Sequence, residues 1–199
     1  DRLAPAFVKE IADEVNSQCG DRLPVSKFVD IQDGTMPNGT AAYEKRGVAV
    51  KVPEWKSENC IQCNTCAFVC PHAAIRPFIL TADEAAAAPA SVKKVAGKAQ
   101  LKEYTYALSV SVADCTGCGN CVDVCPAKEK ALEMVSYQED LQEQENFNWL
   151  NEHVGYKENI LNKEGNVKNA QFAQPLFEFS GACAGCGETP YIKNITQLF

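Results

Sequence analysis

Cys60, Cys63, Cys66 and Cys70, followed by Pro71, follow the spacing Cys-x2-Cys-x2-Cys-x3-Cys-Pro, and the same pattern returns at Cys115, Cys118, Cys121, Cys125 and Pro126. Each cysteine of the second copy lies 55 positions beyond its counterpart, as Cys115 does beyond Cys60. Thiolates at this spacing are ligands for cubane 4Fe–4S clusters. Their chemistry is the transfer of single electrons, with no bond made or broken by the cysteines.

A cube needs four thiolates aimed at four irons. Three cysteines two residues apart can wrap one cube from a single loop, but the fourth cannot reach round it and ligates the other cluster. The expected sets are therefore Cys60, Cys63, Cys66 with Cys125, and Cys115, Cys118, Cys121 with Cys70. Gly117 and Gly119 let backbone N–H groups approach the sulfides, and such bonds help set the potential. The first loop has Gln62, Asn64 and Thr65 there, so the two environments should differ. All-cysteine zinc sites use two Cys-x2-Cys knuckles separated by a longer spacer, a plan these repeats do not follow.

The Cys183-x2-Cys186 pair, taken by itself, is half a zinc knuckle, a redox dithiol or half of a cluster site. Cys19 alone is left over among eleven cysteines and reads as a buried, inert thiol. His72, next to Cys70-Pro71, could hydrogen-bond a cluster, but the plainer reading is a surface or loop histidine. His153 ends a helix, where a cation is favourable. Trp55, Tyr104 and Tyr106 read as packing residues. Asn38-Gly39-Thr40 and Asn194-Ile195-Thr196 match the glycosylation pattern, which a reducing cytosolic setting makes irrelevant. No Gly-x-Gly-x-x-Gly, Walker loop or hydrolase motif is present.

These sites need elements to hold them. The 199 residues suggest one or two domains, and an apolar content of 46% is ordinary for a globular chain. A net charge of −7 without a Lys/Arg run argues against nucleic acid. No apolar stretch is long enough to span a membrane. Ten cysteines grouped by Cys-x2-Cys steps point to metal ligation in a reducing compartment, hence the cytoplasm. The start Asp1-Arg2-Leu3-Ala4-Pro5 is no signal peptide and has no initiator Met. A piece of a longer polypeptide is expected.

The expected fold class is α+β: a two-cluster bacterial ferredoxin-like domain with insertions. An N-terminal helix and extended linker (1–46) precede it, the helix over 4–19 on the spacing of Phe7, Val8, Ile11, Ala12 and Val15 and stopped by Gly20. In the cluster region (47–136) each half reads as strand, cysteine loop, short helix from the Pro after the fourth Cys, and closing strand. The strands are Val48–Val52 and Ala107–Val112 leading in, Ile75–Leu80 and Leu132–Val135 closing. Thr81–Gln100 reads as a surface insertion. A connector (137–174) holds a helix over 137–153, then a polar loop. At 175–199 a strand (Leu176–Phe179), a glycine-rich cysteine loop and a helix behind Thr189-Pro190 form the truncated start of an α/β domain. Ile192, Ile195 and Leu198 give that helix its apolar face.

Three segments, in order, resemble pyruvate:ferredoxin (flavodoxin) oxidoreductase. They are Asp33-Gly34-Thr35-Met36-Pro37-Asn38-Gly39-Thr40 with Tyr43-Glu44-Lys45-Arg46-Gly47 and Val52-Pro53-Glu54-Trp55, then Asp114-Cys115-Thr116-Gly117-Cys118-Gly119-Asn120-Cys121, then Phe179-Ser180-Gly181-Ala182-Cys183-Ala184-Gly185-Cys186-Gly187-Glu188-Thr189-Pro190-Tyr191. The resemblance covers essentially the whole chain. It implies a segment of a large, often homodimeric, thiamine-diphosphate-dependent enzyme that converts pyruvate and coenzyme A to acetyl-CoA and carbon dioxide. Electrons then pass through three 4Fe–4S clusters to ferredoxin or flavodoxin. It also implies that Cys183 and Cys186 are two ligands of the third cluster and that Glu188 helps bind thiamine diphosphate. The remaining ligands, and most contacts to the diphosphate and its Mg2+, would lie in the parent's other domains. Without those domains the segment should not decarboxylate pyruvate. A freestanding ferredoxin-like carrier, or a subunit of another 2-oxoacid oxidoreductase, is the competing reading. It leaves the strand–loop–helix tail without a purpose.

Overall fold

The computed structural model describes residues 4–199, Glu139 without its side chain. Asp1–Leu3, part of the start read above as no signal peptide, lie outside the described residues. The chain forms two compact units, one up to Lys45 and one from Arg46 to Phe199.

In the first unit, α1 (Ala4–Phe7) and α2 (Asp13–Asn16) are joined by a π-type turn, Val8–Ala12, into one helical run. The run stops short of the expected residue 19 because Gln18 turns left-handed, with φ 59°. Cys19 therefore leaves the helix partly exposed, its Sγ facing the Ser17 carbonyl at 3.5 Å, rather than buried as expected. The stretch read as an extended linker is instead a series of 3₁₀ turns, at Gly20–Arg22, Val25–Ile31 and Thr40–Tyr43. Short turns suit a stretch punctuated by proline and glycine.

The second unit is built on five strands: β1 (Lys51–Trp55), β2 (Ile75–Leu80), β3 (Val95–Ala96), β4 (Thr105–Val110) and β5 (Leu132–Ser136). Antiparallel β1 and β5 pair from Lys51↔Ser136 to Trp55↔Leu132, and β2 pairs with β4 from Ile75↔Val110 to Leu80↔Thr105. The leading strand of each half-repeat thus pairs with the closing strand of the other half. Pro53 and Pro77 fall on strands with only one neighbour, where a missing N–H costs no ladder bond. β3 lies on the far edge of β4, a third strand supplied by the insertion.

Side chains alternate across β2 and β4 as the pleat requires. Ile75 and Ile79 join Tyr106, Leu108 and Val110 in a core with Val52, Trp55 and Leu132. Trp55 and Tyr106 meet edge to face at 5.9 Å, and Tyr106 meets Phe172 at 6.3 Å. On the other face Phe78 packs against Phe147 at 6.1 Å. Phe147 belongs to a helix described below, within the expected 137–153 span.

Six α-helices complete the unit. The first two, α3 (Thr65–Val69) and α4 (Ala82–Ala87), flank β2 in sequence. Then come α5 (Asn120–Asp123), α6 (Leu141–Trp149) and α7 (Val167–Ala170). The last, α8, runs Thr189–Leu198. Helix α4 starts on a complete capping box between Thr81 and Glu84. A π-type turn, Leu150–Val154, continues α6, and His153 stacks on Trp149 with its Nδ1 3.1 Å from that residue's carbonyl.

Four expectations need correction. The first strand begins at Lys51 rather than Val48, because the ladder to β5 starts there. No helix begins at Pro71 or Pro126. The helical turns, α3 and α5, precede the fourth cysteine instead, each launched by a left-handed residue, Asn64 or Gly119. Leu176–Phe179 is not a strand. Phe179 has φ 48°, outside the extended region. Finally, α8 does not bury Ile192 and Ile195. It buries Thr189, Lys193 and Gln197 and leaves Ile192 and Ile195 exposed.

Candidate metal centres

Both cysteine loops have one backbone shape. Gln62 and Asn64 have φ 60°, and their counterparts Gly117 and Gly119 have φ 69° and 81°. The left-handed region is disfavoured by roughly 1–2 kcal/mol for a residue with a Cβ, less for Asn. Gly117 also has a packing reason: a Cβ there would lie 2.8 Å from the Lys51 carbonyl oxygen. The first loop anchors its strained residues instead. Gln62 donates to the Ala96 carbonyl at 2.9 Å and accepts from the Lys98 N–H at 2.8 Å. Asn64 donates to the Lys168 carbonyl and accepts from the Tyr106 hydroxyl, each at 2.9 Å. The turn aims N–H groups at sulfur in the same way in both loops. Gln62 donates to Cys60 Sγ and Gly117 to Cys115 Sγ, both at 3.4 Å.

Two cavities receive the sulfurs. One is lined by Cys60, Cys63 and Cys66 from the first loop and Cys125 from the second. The other is lined by Cys115, Cys118 and Cys121 with Cys70. Tyr106 and Leu108 wall the first, Ile75 and Val110 the second. In the second, His72 Nε2 and Thr116 Oγ1 are buried without a hydrogen-bond partner. Among the described residues no three His, Cys, Asp or Glu side chains converge on a point that a single ion could occupy. The thiols stand instead around the walls of a larger space.

Burial pushes these thiols away from the reactive form. It raises the Cys66 thiol far above its usual range, with Cys60, Cys63 and Cys125 adding to the effect. It likewise raises Cys121, and it pushes Cys115 up to about 12 against the opposing Gly117 N–H. Thiols so placed become thiolates only against a bound cation, so loading the cavities releases protons. Eight soft sulfur donors in two sets of four, with N–H groups aimed at them, fit cubane iron–sulfur clusters.

His72 is buried, contrary to the surface reading. Its Nδ1–H donates to the Ser180 carbonyl at 3.1 Å, and the Phe179 N–H donates to its own carbonyl at 2.9 Å. Its adjacency to Cys70-Pro71 was the signal. Nearby, Arg76 is buried against Glu178, donates to the Tyr156 hydroxyl and covers the Phe179 ring at 4.9 Å. Residues 178–180 are thereby fastened to β2.

Cys183 and Cys186 enter neither cavity. Cys183 is exposed and Cys186 half-exposed on the loop before α8. The N–H groups of Thr189 and Glu188 lower the Cys186 thiol. Gly185, between the pair, lies against the Cys118 loop, where a Cβ would be 3.5 Å from that of Cys118. Glu188 is exposed at the start of α8.

Residues 56–129 match the model of a 4Fe–4S dicluster domain, and residues 1–49 match that of the EKR domain, whose function is unknown. The chain thus carries a dicluster iron–sulfur domain with two 4Fe–4S clusters. It is 52% identical over 197 residues to the pyruvate-flavodoxin oxidoreductase of Klebsiella pneumoniae, covering 99% of this chain and 17% of that protein. It is 54% identical over 197 residues to the enzyme of that name from Enterobacter agglomerans, and 51% identical over 198 residues to the pyruvate:ferredoxin oxidoreductase of Moorella thermoacetica. Each of these alignments covers 98% of this chain and 16% of the relative. The chain is similar to one segment of these oxidoreductases and spans about one sixth of the length of the curated relatives it matches. No helix among the described residues is long and apolar enough to cross a membrane.

Proposed function

We propose that this chain is the electron-relay segment of a pyruvate:ferredoxin/flavodoxin oxidoreductase. The parent oxidises pyruvate with coenzyme A to acetyl-CoA, carbon dioxide and a proton, and the two electrons released pass to ferredoxin or flavodoxin. The observation that carries the relay is the grouping of three thiols from one loop with the fourth from the other. Cys60, Cys63, Cys66 and Cys125 hold one 4Fe–4S cluster, and Cys115, Cys118, Cys121 and Cys70 hold the other. Cys183 and Cys186 supply half of a third cluster site, and Glu188 contributes to thiamine diphosphate binding. The rest of both sites, with Mg2+, comes from the parent's other domains, in a homodimer. Thiamine diphosphate supplies the carbanion chemistry of decarboxylation when bound.

The contact of Gly185 with the Cys118 loop supports an order for the relay. Electrons enter beside Cys183 and Cys186, cross to the cavity of Cys115–Cys121, and follow the Cys66–Cys70 link to the cavity of Cys60–Cys66. Within this reading, residues 1–46 precede the relay, 47–136 form it, 137–174 brace it and 175–199 open the thiamine domain. Eleven cysteines with no disulfide among the described residues support a reducing cytoplasm.

The test is Cys70→Ser in the full-length enzyme. We expect loss of about half of the iron held by the two cavities, disappearance of the signal of the Cys115–Cys121 cluster, and collapse of ferredoxin reduction while pyruvate-dependent carbon dioxide exchange persists. Loss of the Cys60–Cys66 signal instead would overturn the assignment.

A further inference from the structure

Helix α8 is packed with its polar side inward. Thr189, Lys193 and Gln197, four residues apart and so on one face, are buried, whereas Tyr191, Ile195 and Phe199 are exposed. Lys193 is the costliest of the three to bury, at 2% exposure. Its Nζ donates to the Ala67 carbonyl, to the Phe68 carbonyl at 3.0 Å and to Gln171 Oε1 at 3.1 Å. All three ammonium protons are thus used on uncharged oxygens. Arg76 differs, for its charge is met by Glu178.

The place of that uncompensated charge is specific. Ala67 and Phe68 lie on α3 between Cys66, which faces one cavity, and Cys70, which faces the other. Lys193 therefore stands at the short link joining the two cluster sites. Thiolates and sulfides outweigh the iron charge, so a loaded cavity is anionic. The net charge around a cluster is one of the quantities that set its potential.

We propose that Lys193 is the shared counter-cation of the two clusters, its charge favouring the added electron on each and raising both reduction potentials. This rests on the cluster reading above. Desolvation pulls the Lys193 ammonium down to about 8, charge at Cys70 acts in the opposite sense, the like charge of Arg76 adds to the fall, and Cys66 again opposes it.

The alternative is a purely structural cap on the carbonyls of α3. Redox titration of the full-length, cluster-loaded enzyme, followed by electron paramagnetic resonance with iron and sulfide assayed in parallel, separates the two. Lys193→Gln keeps N–H donors for the carbonyls but removes the charge. At the ambient potential that half-reduces each wild-type cluster, the reduced-to-oxidised ratio should fall about tenfold, equivalent to ~59 mV for a one-electron couple. Lys193→Arg should restore the wild-type ratio. Gln171→Glu, which sets a carboxylate beside an intact Lys193, should lower the ratio in the same direction and decides the matter if Lys193→Gln does not assemble. Wild-type potentials in a fully loaded Lys193→Gln, or in Gln171→Glu, would overturn the proposal. A wild-type enzyme without iron would instead overturn the cluster reading, a different failure.

Discussion

Asn64 shows how a single residue carries two demands. It must adopt the left-handed backbone that its counterpart Gly119 adopts without strain, and its side chain must bind both the Tyr106 hydroxyl and the Lys168 carbonyl. Asn64→Ala and Asn64→Gly lose the same hydrogen bonds, but only Ala also meets the steric penalty. We expect Asn64→Ala to be less stable than Asn64→Gly by about 1 kcal/mol. The difference should appear in the urea midpoints for loss of visible iron–sulfur absorbance in the two variants. At this scale the grouping of eight cysteines around two cavities was legible in the sequence, because ligand spacing is local. The burial of His72, Arg76 and Lys193 was not. Their burial depends on distant partners, and Lys193 reaches Phe68 across 125 positions.

Among the elements, α4 gives the cleanest test of a local rule. The Thr81 hydroxyl accepts from the Glu84 N–H at 3.3 Å, and the Glu84 carboxylate accepts from the Thr81 N–H at 2.8 Å and from Lys157 at 2.9 Å. Burial works to raise the Glu84 carboxyl, but the Thr81 N–H and the Lys157 ammonium outweigh it and hold it below its usual range. Such a group stabilises the fold above the ordinary carboxylate range, and that contribution fades as pH falls through its own lower value. Thr81→Ala should cost about 1 kcal/mol. The gap in melting temperature between wild type and Glu84→Gln should shrink as the medium is acidified through pH ~4. The motif Thr-x-x-Glu was present at Thr81, but the stretch reads as an insertion because its alanines advertise no contact. The tail strand was misread for the opposite reason. Leu176-Phe177-Glu178-Phe179 has strand composition, yet Glu178 and Phe179 are committed to Arg76 and His72. The inward Lys193 similarly overrides the apolar periodicity of α8, a tertiary demand no helical wheel displays.

For the whole molecule, the crossed strands and the crossed thiols are one design. Each half lacks a partner for both of its strands and lacks the fourth ligand of its own loop. Residues 46–100 and 101–199, expressed apart, should each take up little iron. Co-expression should recover both clusters, measured as iron and acid-labile sulfide in the copurified pair. The internal repeat made this interlock legible, since a 55-residue offset with crossed ligation requires a pseudo-two-fold core. The shift of β1 by three residues was not legible, because register is set by the partner strand. The same interlock governs how the protein ages in air. When oxygen destroys one cube, it removes a strut from both halves at once, loosening the loop that grips its neighbour. A molecule that has lost one cube should therefore bleach sooner in air than an intact one.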